Sequence, residues 1–361
     1  MIARGSASDC PLHVGRFTEI DIAKGVLAIL VAVGHAVQQY GASLGQGWEI
    51  VRNVIYSFHM AAFVFVAGFC SVKMLSYKTV RDVGGYARGR ALRLLLPYLS
   101  WGAIYFVLRA FAGDHARVPY DWDRWGFFFL GYNPDGAMWF LWALFVASVC
   151  IALFARQFAC GWVVVLTWIF AVTWLMLQTT VDYLRGVNAV PVFLFFFSLG
   201  LLVRTRYDRL KSVFGGVAFA VLALVAFVVA CCARQFDWQA GRIPWYAVSA
   251  PAGTMLVMSL SILAAGRSGP VSGGLAFLGK HAMAIYVLGE PVKVACRMAF
   301  ARQGIPSQLA FFAMLSLMLV IPVLVRRQVL KRCALASLAL LGEAPVAGTA
   351  GSDDRQAERR P

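Results

Sequence analysis

Two titratable residues stand inside the first long apolar stretch of the chain, in the run Glu19-Ile-Asp21-Ile-Ala-Lys24-Gly25 leading to Gly34-His35. A charged side chain at the centre of a membrane helix costs roughly 2.5–3.5 kcal/mol on insertion scales, so residues of this kind are functional candidates. Lys24 and His35 are eleven residues apart. That is about three helical turns and a rise of ~16 Å, which puts both on one face. Asp21 precedes Lys24 by three, and Gln38 and Gln39 follow His35, so all fall near the same stripe. The stripe predicts a face turned to a protein interior or a wet cavity, with Gly25, Ala28 and Gly34 permitting close helix packing. An imidazole there takes and returns a proton near neutral pH, which is general-base chemistry. The plainer alternative makes Asp21 and Lys24 interfacial anchors and lets His35 cap the far end of the span.

Four further groups join the candidates. His59, in Ser57-Phe58-His59-Met60, enters the second apolar stretch from the side on which His35 lies. The segment Arg88-Gly-Arg90-Ala-Leu-Arg93-Leu-Leu-Leu-Pro97-Tyr98 reads as a cationic mouth for a phosphate-bearing molecule, or as a topology signal alone. Trp139 opens a later apolar stretch, where a tryptophan also serves as an interface belt residue. Glu290 and Lys293 are three apart in the ninth stretch and can pair with each other.

The elements that position these residues follow from composition. The chain has 361 residues, of which 60% are hydrophobic and 14% charged, and its mean hydropathy is +0.71. Soluble domains carry about 25% charged residues, so the chain is read as an all-α integral membrane protein. Ten apolar runs are near the ~20 residues a spanning helix needs: 22–40, 53–72, 94–112, 137–155, 161–177, 188–203, 213–232, 245–265, 282–298 and 307–325. The first is too long for a signal-peptide core, so it is expected to be retained. The net charge of +16 does not point to nucleic acid, because the basic residues cluster in alternate short loops (Lys73 to Arg93, Arg204 to Lys211, Arg326 to Arg332). By the positive-inside rule those loops and both termini are expected in the cytoplasm. The expected organisation is a cytoplasmic segment 1–19, a polytopic domain 20–332 and a cytoplasmic tail 333–361 that is disordered toward its end. The 8 cysteines show no metal-like or disulfide-like spacing, and no metal is expected. No internal repeat and few broken helices are expected, which weighs against a transporter.

In order along the chain, the blocks Ile20-Asp21-Ile-Ala-Lys24-Gly25 to His35, Ser57-Phe58-His59-Met60 to Gly68, Arg90 to Tyr98, Met138-Trp139-Phe140-Leu141, Phe195-Phe196-Phe197-Ser-Leu-Gly200 and Leu278-Gly279-Lys280-His281 to Tyr286 resemble the membrane-bound acyltransferase-3 family. The likeness covers about residues 17–325 and is nearest to its fucose-type sugar O-acetyltransferase branch. Two positions depart from the common pattern. Lys24 stands where Arg is commoner, giving a point charge in place of a bidentate fork, and Gly289 stands where the family often has His.

The resemblance implies acyl-CoA, by default acetyl-CoA, as cytoplasmic donor. It implies a hydroxyl of a lipid-linked or exported carbohydrate, such as an exopolysaccharide, as acceptor. It also implies a multi-pass protein of the bacterial inner membrane, among membrane lipids; homo-oligomer formation stays open. On this expectation His35 and His59 are catalytic, with His35 either a general base or a transiently acylated nucleophile. Lys24, Arg90 and Arg93 bind the donor, and Asp21, Trp139 and Glu290 give structural or charge support. The rival reading is a transporter or flippase of a lipid-linked glycan or proton-coupled solute, in which Asp21, Lys24 and His35 form a proton relay.

Overall fold

The computed structural model describes residues 16–112, 122–132, 138–177, 184–236 and 242–343. The N-terminal residues 1–15, Asp114, Asp121, Asp182, Asp237, residues 133–135 and the tail beyond 343 lie outside the described residues.

Every regular element among the described residues is helical. The first helix, α1, spans Thr18–Leu44, longer than the 22–40 expected, so Glu19 and Asp21 are helical and buried. Helices α2 (Gln46–Tyr56) and α3 (His59–Phe69) together make the second span. After a 3₁₀ turn come α4 (Val80–Arg90), a π-helical turn at Ala91–Leu95 and α5 (Leu96–Ala112). A 3₁₀ segment, Trp122–Leu130, leads to α6 (Trp139–Gln157), α7 (Cys160–Leu177) and α8 (Arg185–Thr205). The rest comprises α9 (Tyr207–Phe214), α10 (Val217–Phe236), α11 (Arg242–Ala265), α12 (Pro270–Lys280), α13 (Ala282–Gln303), α14 (Ser307–Gln328) and α15 (Ala334–Leu341).

Among the described residues eight helices, or ten if each bent pair is one span, are long and apolar enough to cross a membrane. The chain is therefore a multi-pass, all-α membrane protein. Helices are less continuous than the sequence suggests. The pair α9 and α10 bends by 78° and the pair α12 and α13 by 73°, and α2 gives way to α3 at Ser57-Phe58. The expectation of few broken helices is corrected here. The cause of the α9–α10 bend is the Gly215-Gly216 junction, where two residues without side chains weaken the helical preference. Apolar runs alone do not show such bends, since both limbs are equally apolar.

One end of the bundle gathers the basic loops. Glu19 at the start of α1 pairs with Lys211 of α9, and Arg326 at the end of α14 donates to the Lys280 carbonyl that ends α12. The same Arg326 pairs with Glu343 after α15. We call this the basic end. Helix α15, within the stretch expected as tail, docks there: Trp101 Nε1 donates to the Leu340 carbonyl at 3.1 Å.

Helix α1 is the most enclosed of the eight spans, with 67% of its apolar window buried. Its contact with α12 is backbone on backbone. A methyl group at Gly25 would strike the Leu275 carbonyl, and one at Gly279 would strike the Asp21 carbonyl. Helices α3 and α8 meet in the same way, Gly68 against the Phe197 carbonyl and Gly200 against that of Phe65. Small residues at these crossings are what let membrane helices approach closely enough to gain dispersion energy. They hold α1 and α3, and hence His35 and His59, in a fixed relation to the rest of the core.

Candidate active site

Lys24 and His35 share α1 but not a site. Lys24 lies 3.7 Å from Asp21 Oδ1, and Asp21 Oδ2 accepts from Arg16 Nε at 2.7 Å. These three form a closed ion cluster at the basic end.

His35 belongs to a different group. Its Nδ1 lies 3.9 Å from Glu290 Oε2 on α13, and Glu290 Oε1 pairs with Lys293 Nζ at 2.5 Å. Glu290 is 4% exposed. It directly precedes Pro291, which removes the backbone donor that would otherwise pair with the Val287 carbonyl. Both His35 Nδ1 and Glu290 Oε2 are buried without a hydrogen-bond partner. Native interiors leave few such atoms, and each carries a desolvation cost of about 1–3 kcal/mol. Two of them facing each other mark the site. At 3.9 Å they are too far apart for a hydrogen bond, and a closure of about 1 Å would make one. Gln38, the next stripe residue on α1, lies within reach of the His35 ring.

His59 is the first residue of α3 and is buried. The α2–α3 break explains its orientation. The Ile55 carbonyl in the last turn of α2 accepts from the Phe58 N–H at 3.3 Å, and His59 Nδ1–H donates to it as well at 2.7 Å. A carbonyl can only accept, so the proton sits on Nδ1 and Nε2 keeps its lone pair. His59 lies within electrostatic range of His35. Its ring packs edge-on against Tyr56 at 5.0 Å, and Tyr56 in turn fits beside Gly34, next to His35. Tyr56 is also within electrostatic range of Glu290 and Arg185.

The other candidates lie elsewhere. Arg90 donates from Nε to Tyr86 Oη at 2.9 Å and from Nη2 to Ser71 Oγ at 2.5 Å. Its guanidinium also lies over the Tyr86 and Phe197 rings. Arg93 is exposed, and no carboxylate among the described residues pairs with Arg90 or Arg93. Its carbonyl abuts Gly342, whose φ of 65° suits glycine at the end of α15. Trp139 packs on Phe193 and Phe140 within the aromatic core. Gly289 faces Met318, so the ionisable group at that level of α13 is its neighbour Glu290.

The structure thus brings together His35, His59 and Glu290, and separates them from Lys24, Asp21, Arg90, Arg93 and Trp139. Tyr56 and Lys293 join the group as residues that sequence reasoning did not place there. Lys293 left a signal, its i,i+3 spacing to Glu290, while Tyr56 left none. No three His, Cys, Asp or Glu side chains among the described residues are grouped to hold a metal ion.

The chain is 30% identical over 152 residues to nodulation protein NolL of Mesorhizobium japonicum, covering 41% of this chain and 39% of the relative. It is 31% identical over 157 residues to nodulation protein NolL of Sinorhizobium fredii, covering 43% and 40%. The matched stretch spans about two fifths of each relative. No solved structure matches. The family model described as an acyltransferase domain matches residues 17–327, from the start of α1 to the end of α14, and the chain therefore belongs to the acyltransferase-3 family.

Proposed function

We propose that this protein is a membrane O-acyltransferase that moves an acyl group, acetyl by default, from acyl-CoA to a hydroxyl of a lipid-linked or exported carbohydrate. The observation that carries the reading is the unpartnered His35 Nδ1 and Glu290 Oε2 facing each other inside the bundle. Glu290 Oε1 is held by Lys293, and closure lets Nδ1–H donate to the other carboxylate oxygen. That leaves the lone pair on Nε2, as in other His–carboxylate pairs. Nε2 then takes the proton of the acceptor hydroxyl as its oxygen attacks the thioester carbonyl. The C–O bond forms, the C–S bond breaks, and the proton passes to the departing thiolate, giving ester and CoA-SH. His59, with its free Nε2, orients the acceptor. In the variant mechanism His35 carries the acyl group briefly.

The donor enters at the basic end, where Arg93 and the remaining donors of Arg90 meet its phosphates. Lys24 is a poorer donor ligand than expected because Asp21 already holds it. The positive-inside rule puts that end, and both termini, in the cytoplasm of a bacterial inner membrane. The bent helix pairs favour a second reading, a transporter or flippase of a lipid-linked glycan.

Purified protein in vesicles with acetyl-CoA and extracted surface glycan separates the two. Glycan-dependent release of CoA, with an acetyl mass increment on the glycan by mass spectrometry, is the expected result. Glycan or solute flux without acyl-CoA consumption would overturn acyl transfer and leave the transporter.

A further inference from the structure

Helix α15 follows α14, where the acyltransferase domain ends, and its last turn reaches the arginines of the basic end. Gly342 caps that turn in the left-handed region, its N–H bonded to the Leu338 carbonyl. A methyl group at Gly342 would strike the Arg93 carbonyl and crowd the Arg93 Cα. No side chain fits between the two backbones. The end of α15 therefore rests directly on the π-helical turn Ala91–Leu95 that carries Arg93. It is anchored on its other sides as well. Leu341 is buried in the main core, and the Leu340 carbonyl accepts from Trp101.

This seating brings an acid to an exposed arginine. Glu343 follows Gly342 and lies within electrostatic range of Arg93, yet the two form no ion pair. Both Glu343 oxygens go to α14 instead. Arg326 Nε donates to Oε2 at 3.1 Å and Nη2 pairs with Oε1 at 2.9 Å, the two-pronged geometry in which an arginine holds a carboxylate best. Arg326 is itself fixed, because its Nη1 donates to the Lys280 carbonyl at 3.1 Å. One arginine thus takes the carboxylate, and its neighbour Arg93 makes no ion pair among the described residues.

We propose that the last turn of α15 belongs to the donor site: Arg326 holds Glu343 off Arg93 and so keeps Arg93 open to the phosphates of acyl-CoA. The inference rests on the acyl-transfer reading with the donor's phosphates at Arg93. A guanidinium closed on a carboxylate offers a phosphate fewer donors and no net charge. Released from Arg326, Glu343 competes with the donor for Arg93. Arg326 and Glu343 are positioning residues, since both act through Arg93.

The test measures donor KM and kcat for acetyl-CoA with the full chain in vesicles, and size-exclusion in detergent reports the fold. The proteins compared are the wild type, Arg326→Gln and the double variant Arg326→Gln with Glu343→Gln. Arg326→Gln is expected to raise donor KM roughly three- to fivefold with kcat unmoved, the effect of one partly exposed ion pair formed in competition with the donor. The double variant is expected to return donor KM to within about twofold of wild type. That rescue separates charge from scaffold, because Glu343→Gln restores neither the grip on α15 nor the bond to the Lys280 carbonyl. If Arg326→Gln does not fold, Arg326→Lys keeps the charge but not the fork. It is expected to move donor KM the same way by less, with the same rescue. A folded Arg326→Gln protein with wild-type KM, or a double variant whose KM stays as high as the single one, overturns the inference and leaves acyl transfer standing. A wild type that consumes no acyl-CoA fails the parent reading and takes this one with it.

Discussion

The two ends of α1 handle buried charge in opposite ways. At the basic end Glu19 accepts from Tyr207 Oη at 2.6 Å and from Lys211 Nζ at 2.7 Å. Asp21 is held by Arg16 and Lys24, and Glu343 by both Nε and Nη2 of Arg326. Each of these carboxylates is paired. In the other half Glu290 pairs with Lys293 through Oε1 alone, and His35 Nδ1 and Glu290 Oε2 face each other with no hydrogen-bond partner among the described residues. A saturated network fixes helices in place, because moving any member leaves a buried group unpaired. An unsaturated pair keeps the capacity to take a proton or a ligand, at a standing cost in stability. The difference separates scaffold from chemistry within a single helix.

The sharpest break of that comparison is His35→Ala. With the scaffold end intact, membrane insertion and size-exclusion behaviour are expected to match the wild type, while CoA release falls by about 10²–10⁴-fold, the range for losing a general base. A His35→Ala protein with undiminished transfer moves the chemistry elsewhere. Glu290→Gln comes next. The amide keeps the shape but cannot accept the Nδ1 proton as a carboxylate does, so kcat is expected to fall on the order of 10²-fold with donor KM unmoved, since the loss is confined to the transition state. A change in donor KM alone would instead make Glu290 part of the binding path.

Much of this division was legible in the chain itself. Spans follow from apolar run length, and the stripe Asp21, Lys24, His35 follows from the helical period, because both are local. Asp21 is buried and His35 faces Glu290 of α13, while Gln38 is exposed, and the grouping of the stripe did not follow from its spacing. Lys24 and His35 share a stripe, but the ~16 Å rise between them divides it into two environments. Glu290 reads locally as a partner of Lys293, which it is. Its contact with His35 joins the first helix to the thirteenth, and no spacing in the chain encodes a contact between distant segments. Bends were illegible for another reason. The α12–α13 break at Lys280-His281 leaves apolar residues on both sides, so hydropathy runs through it unchanged.

A smaller effect tests the donor mouth. Arg93 is exposed and makes no ion pair among the described residues, whereas Arg90 is braced by Tyr86 and Ser71. Arg93→Ala is expected to raise donor KM by about tenfold, equivalent to ~1.4 kcal/mol, without lowering kcat. Arg90→Ala is expected to lower detergent-melting temperature as well, since it also releases the Ser71 and Tyr86 hydroxyls. Equal effects of the two substitutions on KM and melting would show that the bracing of Arg90 has no structural weight.

The smallest effect on turnover is expected from the scaffold end, at Glu19→Gln. The amide keeps a hydrogen bond to the Tyr207 hydroxyl but loses the charge that holds Lys211. Breaking a fully buried pair costs about 3–5 kcal/mol. Lys211 is half exposed and can regain water, so a cost of ~1–2 kcal/mol is expected, read as a lower melting temperature in detergent. CoA release per folded molecule is expected to stay within twofold of wild type, a shift of less than ~0.5 kcal/mol. Because Glu19 and His35 lie on the same helix, a rigid α1 would transmit any tilt from one to the other. A folded Glu19→Gln protein that loses turnover would show that the ion pairs at the basic end set the position of His35, and that scaffold and chemistry are not separable along α1.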